Sequence, residues 1–178
     1  MQTNDLKSGL VSISLTLIFL LITDILFSSL LPLIGLGQFR FSLHILFILY
    51  LGLRIRTPYI AIFIFLIEYF HSIFTIEGWA MGTVTGILVC ILISFVKDII
   101  HLKTKVMTFL MVQLFQFVWF LIMGIMIYLK LDDMTYVWTR LVNFIPVSVI
   151  VSFLSPFVFP TLDRIWVSRE DQILEGNG

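Results

Sequence analysis

Asp24, His44, Glu68 and His71 are the residues whose chemistry stands out, because each lies within or at the edge of a long apolar run. Glu68 and His71 are three residues apart, so on a helix they share one face. Carboxylates beside imidazoles can relay protons, hold an ion or line a polar pocket for a small substrate. They can equally lock helices together, with the carboxylates protonated or paired to imidazole. An acidic side chain at the centre of a membrane helix costs about 2.5–3.5 kcal/mol to insert, so such groups face a bundle interior or a wet cavity. The other chemistry is sparse. Cys90 is the single thiol, and the three histidines fall on different spans or loops, which offers no metal-ligand spacing. No glycine-rich phosphate loop, nucleophile–base pair or His-Glu-x-x-His helix is present. The contexts of Asp24 and Glu68 are unlike those of an aspartyl-protease pair. The sequence therefore predicts no enzyme, no metal and no cofactor.

The elements that must position these groups follow from composition. Of the 178 residues, 60% are hydrophobic and 12% charged, where a soluble domain has about 25% charged residues. The mean hydropathy is +1.08. A soluble fold of this size buries only about 70% of its chain surface, too little to hide so many apolar residues. With 11 basic and 11 acidic residues the net charge is zero, which argues against a nucleic-acid partner. The chain reads as an all-α integral membrane protein.

A helix needs about 20 apolar residues to cross the hydrocarbon core. Six spans are predicted, at about 8–31, 39–53, 59–76, 78–96, 106–129 and 138–162, forming one domain over 1–165 with a short cytoplasmic tail at 166–178. The second span is short. Pro32, Gly35, Gly37 and the Arg54-Ile55-Arg56-Thr57-Pro58 turn separate the first three. Runs such as Ile60 to Ile67 are apolar on every face, unlike the alternating strands of a β-barrel. The first span is too long for a signal-peptide core and lacks an Ala-x-Ala-like site.

Loop charges set the orientation. With the N-terminus inside, Lys7, Arg54, Arg56, Lys97, Lys103, Lys105, Arg164 and Arg169 are cytoplasmic, and only Arg40, Lys130 and Arg140 are outside. This bias obeys the positive-inside rule and puts both termini in the cytoplasm, with Arg54, Arg56, Lys97, Lys103 and Lys105 as basic anchors. His101 shares the loop of Lys97 and Lys103. At about 1.5 Å per residue, Asp24 and His71 then lie roughly 8–10 Å below the outer helix ends. Glu68 is one turn deeper, and His44 enters at a similar level. Gly78, Gly82 and Gly86 form a smooth four-residue stripe, with Thr85 beside it, suited to close packing within the bundle or against a partner's span. Gln113 and Gln116 share a face of the bulky fifth helix and are expected to bond to a neighbour. Pro146, Pro156 and Pro160 predict kinks in the sixth.

The order of these features resembles the rod shape-determining protein MreD family across nearly the whole chain. A first helix ends in Ser28-Ser29-Leu30-Leu31-Pro32. A glycine-rich turn leads to Arg40-Phe41-Ser42-Leu43-His44-Ile45-Leu46, and a helix closes on Arg54 and Arg56. Glu68 in the third helix precedes Ile76-Glu77-Gly78-Trp79 and the glycine-spaced helix. The chain then closes on Pro156-Phe157-Val158-Phe159-Pro160-Thr161-Leu162-Asp163-Arg164. It departs from the family at Phe41-Ser42, where Pro-Asp is common, and in a third helix poorer in glycine. The resemblance implies a non-enzymatic subunit of the bacterial elongation machinery in the inner membrane. Its partner would be the single-span protein MreC and, through it, a RodA-type glycosyltransferase, a class B transpeptidase and the MreB filament. It also implies a six-helix fold similar to the S components of energy-coupling-factor transporters. That makes a substrate-binding subunit for small-solute or vitamin uptake the alternative, with its pocket among Asp24, His44, Glu68 and His71.

Overall fold

The computed structural model describes residues 2–33, 35, 43–55, 58–73, 78–96 and 104–166. These form six α-helices and, among the described residues, no strand: α1 (Gln2–Leu33), α2 (Leu43–Arg54), α3 (Ile60–Ser72), α4 (Trp79–Val96), α5 (Lys105–Leu131) and α6 (Met134–Trp166). In α1, α4, α5 and α6 the apolar stretch is long enough to cross a bilayer, which makes this a multi-pass membrane protein. The shorter α2 and α3 rise only about 18 and 20 Å, less than the hydrocarbon thickness of about 30 Å.

The architecture is a ring around a rod. α1, α3, α4, α5 and α6 touch in that order and close as α6 returns to α1, while α2 touches all five. The sequence of α2 dictates its place. Leu43 to Gly52 are buried on every side, as expected of a helix apolar all round. The five outer helices each bury a stripe and expose large apolar side chains on the other side. Ile18, Ile22 and Ile25 of α1 and Val149, Ile150 and Phe153 of α6 are examples.

Several helix ends differ from the hydropathy reading, and local bonding explains where they fall. The sixth helix begins at Met134 rather than near 138 because the Asp132–Asp133 pair forms the turn. Asp132 adopts the left-handed conformation (φ 51°) and closes α5 with its N–H on the Tyr128 carbonyl. Asp133 Oδ1 then accepts from the backbone N–H groups of Thr135 and Tyr136, at 2.9 and 3.1 Å, as an N-cap does. Thr104 caps α5 by accepting from Met107 N–H at 3.2 Å. α1 runs through Pro32 to Leu33, and Gly35 (φ 74°) turns the chain by bonding back to the Pro32 carbonyl. α6 is continuous across its three prolines. Pro156 cannot donate to the Ser152 carbonyl, and the Ser155 hydroxyl supplies that bond instead, at 2.7 Å. Of the predicted tail at 166–178, Trp166 is the last residue of α6 and 167–178 lie outside the described residues.

Candidate functional site

Asp24, His44, Glu68 and His71 meet at one end of the bundle, each at most 9% exposed. Helix direction explains the meeting. His44 is the second residue of α2, His71 the penultimate residue of α3, and Gly82 lies in the first turn of α4. Consecutive helices run in opposite directions, so these three positions share a level, and Asp24 reaches it from α1. His71 Nδ1 and Asp24 Oδ2 are hydrogen-bonded at 2.9 Å. The His71 ring stacks on that of His44 with centroids 3.6 Å apart and planes 25° from parallel. His44 Nε2 lies 3.5 Å from Glu68 Oε1, and the Trp119 ring meets the His44 ring edge-on at 5.9 Å. The His44–Glu68 contact lies within ion-pair reach but lacks hydrogen-bond geometry, and Glu68 Oε1 and His44 Nδ1 are buried with no hydrogen-bond partner among the described residues.

Glycine admits the carboxyl group. A Cβ on Gly82 would stand 2.5 Å from Glu68 Cδ and collide with Oε2, so the Glu68 head occupies the room of the missing side chain. One turn on, a Cβ on Gly86 would meet Ile64 Cγ2 at 2.7 Å and Trp119 at 3.2 Å. Gly82 and Gly86 therefore face α3 and α5 inside the bundle. Gly78 stands apart from them: it precedes α4, has a φ of 79°, is exposed and has open space where a side chain would project. Among the other predicted positions, Arg54 ends α2 on the surface, and Lys105 opens α5 with its ammonium group 5.8 Å from the centre of the Phe157 ring. Arg56, Lys97 and Lys103 lie outside the described residues. Among the described residues, no three His, Cys, Asp or Glu side chains are placed to hold a metal ion.

Two further polar sets escaped the sequence reading in part or whole. Gln113 and Gln116 of α5 bond to serines of α6 in a continuous ladder. Gln113 Nε2 donates to Ser148 Oγ at 3.0 Å, Ser152 Oγ donates to Gln113 Oε1 at 2.8 Å, and Gln116 Nε2 donates to Ser152 Oγ at 3.2 Å. The serine spacing at 148, 152 and 155 was the available signal. At the opposite end of the bundle, Tyr50 Oη donates to Asp163 Oδ1 at 3.0 Å and Trp166 Nε1 to Thr16 Oγ1 at 3.1 Å. Ser12 Oγ donates to the Ile165 carbonyl at 3.1 Å. These bonds join the C-terminal end of α6 to α1 and α2, and only the single polar atom of Tyr50 inside an apolar run hinted at them.

Compared with known protein families, with curated proteins and with solved structures, the chain finds no match.

Proposed function

We propose that the protein is a non-enzymatic scaffold subunit of the cell-elongation peptidoglycan machinery in the bacterial inner membrane, receiving the transmembrane helix of an MreC-like partner. On this reading all six helices belong to the membrane domain, both termini are cytoplasmic and the Asp24–His71 end faces outward. The observation that carries the proposal is how the ionisable side chains are spent. Asp24 is bonded to His71, Glu68 is wedged between His44 and Gly82, and what the chain offers sideways is apolar helix surface. The positions on which the MreD resemblance rests support it too. His44, Glu68, the glycine-spaced α4 and Asp163 are all contacts that fix one helix against another. With Gly82 and Gly86 covered from within, the partner's helix meets a lipid-facing side. RodA-type, transpeptidase and MreB contacts then run through that partner.

The test is recovery of the partner. Crosslinking in native membranes followed by purification in mild detergent should yield a stable complex with one single-span protein. A monomer with no crosslinked partner would sink the proposal. The alternative, a substrate-binding subunit of a solute transporter, is favoured by one observation: His44 Nδ1 and Glu68 Oε1 are buried without hydrogen-bond partners among the described residues. It requires a small ligand to remain bound through purification, and native mass spectrometry showing the bare chain mass alone would count against it.

A further inference from the structure

We propose that the exposed side of α6 around Asn143 is a contact between two copies of this chain, in which the two Asn143 carboxamides bond to each other across a two-fold axis along the membrane normal. The inference is independent of the scaffold reading. Asn143 is exposed, and among the described residues its amide has no hydrogen-bond partner. It also lies deep. The next residue, Phe144, stacks its ring on that of Phe120 with centroids 4.8 Å apart. Trp119, beside Phe120, packs at Gly86, which is seven residues beyond Trp79 and so about 10 Å inside that end of α4. From this depth a side chain as short as asparagine cannot reach back to the headgroups. Other exposed polar side chains of the spans are satisfied within their own helix. Ser14, Ser94, Thr139 and Thr161 each donate to a carbonyl three or four residues back. The glutamine amides of α5 are bonded to Ser148 and Ser152. Asn143 instead sets a bare amide against hydrocarbon, where no water replaces the missing bonds.

The surroundings of Asn143 name the occupant. Thr139, Asn143, Pro146, Ile150 and Phe153 are all exposed and follow one another at spacings of four, three, four and three. That is the row along which two nearly parallel helices pack. Arg140 flanks the row with its guanidinium 5.9 Å from the centre of the Tyr136 ring, and the row itself is uncharged. Pro146 cannot donate to the Val142 carbonyl, and among the described residues no hydroxyl stands in as Ser155 does at Pro156. α6 therefore presents an unpaired amide and a carbonyl without its usual donor within one turn of each other. Two copies inserted in the same direction pair symmetrically only about an axis along the membrane normal, which sets each position of the row against itself at equal depth. An amide is both donor and acceptor, so two of them at one level can exchange hydrogen bonds. A foreign helix would need a polar group of its own at this depth, and a second copy carries one by symmetry.

The single native thiol, Cys90, is buried, so the wild-type chain serves as the blank in a crosslinking test. In native membranes treated with copper phenanthroline, Thr139→Cys and Ile150→Cys should each give a disulfide-linked pair of this chain. Leu88→Cys, on the exposed side of α4, should give none. Energy transfer between labelled copies of the purified full chain, diluted stepwise in liposomes, measures the dissociation constant. Asn143→Leu should raise it about 3- to 20-fold, the range expected for interhelical hydrogen bonds in a bilayer. A chain that is monomeric at every dilution would overturn the proposal, as would a dimer that Asn143→Leu leaves unchanged. So would Thr139→Cys joining to a different protein rather than to its own kind, a result that would leave the scaffold reading standing. If Asn143→Leu does not fold, the crosslinks at 139 and 150, made with the amide intact, decide alone.

Discussion

Replacing Gly82 by alanine adds one methyl group, and its effect should depend almost entirely on Glu68. The new Cβ would stand 2.5 Å from Glu68 Cδ, far inside van der Waals contact, and the nearer Oε2 must move. Either α3 and α4 part slightly or the carboxyl group leaves the neighbourhood of His44. Overpacking of this kind costs about 1–3 kcal/mol. Against it stands the gain of about 1 kcal/mol from replacing a helical glycine by alanine. Gly124 of α5 separates the two effects. It is also buried in a helix, yet a Cβ there would meet Val137 at 3.4 Å, an ordinary contact. Gly124→Ala should therefore stabilise by about 0.5–1 kcal/mol, and Gly82→Ala should fall about 1–3 kcal/mol below it. In a Glu68→Ala background the obstruction is gone, and Gly82→Ala should behave like Gly124→Ala. Reversible unfolding in mixed micelles, run as a double-mutant cycle, measures the coupling. Additivity of Glu68→Ala and Gly82→Ala within about 0.5 kcal/mol would refute the close approach as the reason for glycine at this position.

The α5–α6 ladder predicts that Ser152→Ala costs about 1–3 kcal/mol, since it strips partners from both Gln113 and Gln116. Ser14→Ala, which removes an exposed hydroxyl bonded only within its own helix, should change stability by less than about 0.5 kcal/mol in the same assay. The bond from Ser155 to the Ser152 carbonyl makes a conditional prediction. Ser155→Ala should cost about 1 kcal/mol beside Pro156 and close to nothing in Pro156→Ala, where an ordinary helical N–H serves that carbonyl.

How far the sequence could be read depended on which physical quantity each feature expresses. Depth was legible, because rise per residue is fixed: Asp24, His44, Glu68 and His71 could be set near one level by counting. Pairing was not, because it depends on how each helix is rotated, and nothing in the run around Asp24 says that its carboxyl group meets His71 rather than His44. The shortness of α2 was visible, but its place at the axis was not. Lipid and protein interior are both apolar, so a helix apolar all round looks the same whether lipid or its neighbours surround it. The glycine stripe suited the interior or a partner equally well, and in the structure Gly82 and Gly86 turn inward, the former filled by the Glu68 carboxyl group, while Gly78 stays exposed. The start of α6 was misplaced because hydropathy marks where lipid begins. Helices stop where their ends are capped, and here Asp132 and Asp133 set that point.

The polar contacts also answer a problem that this architecture creates. Between helices in a bilayer there is little hydrophobic gain to fix one against another, since lipid tails are as apolar as leucine. A short rod such as α2, smooth and apolar between its ends, could slide or turn inside its ring at small cost. Its two ends prevent this. His44 stacks on His71 and faces Glu68 at one end, and Tyr50 bonds to Asp163 at the other, tying the rod to α3 and to α6. The stack and the Tyr50–Asp163 bond are specific in distance and orientation, so together they set both register and rotation. The cluster at His44 is therefore half of a two-point mount. Removing either point should free the rod before it unfolds the ring, and the motif residues Glu68 and Asp163 matter together because they grip the same helix from opposite ends.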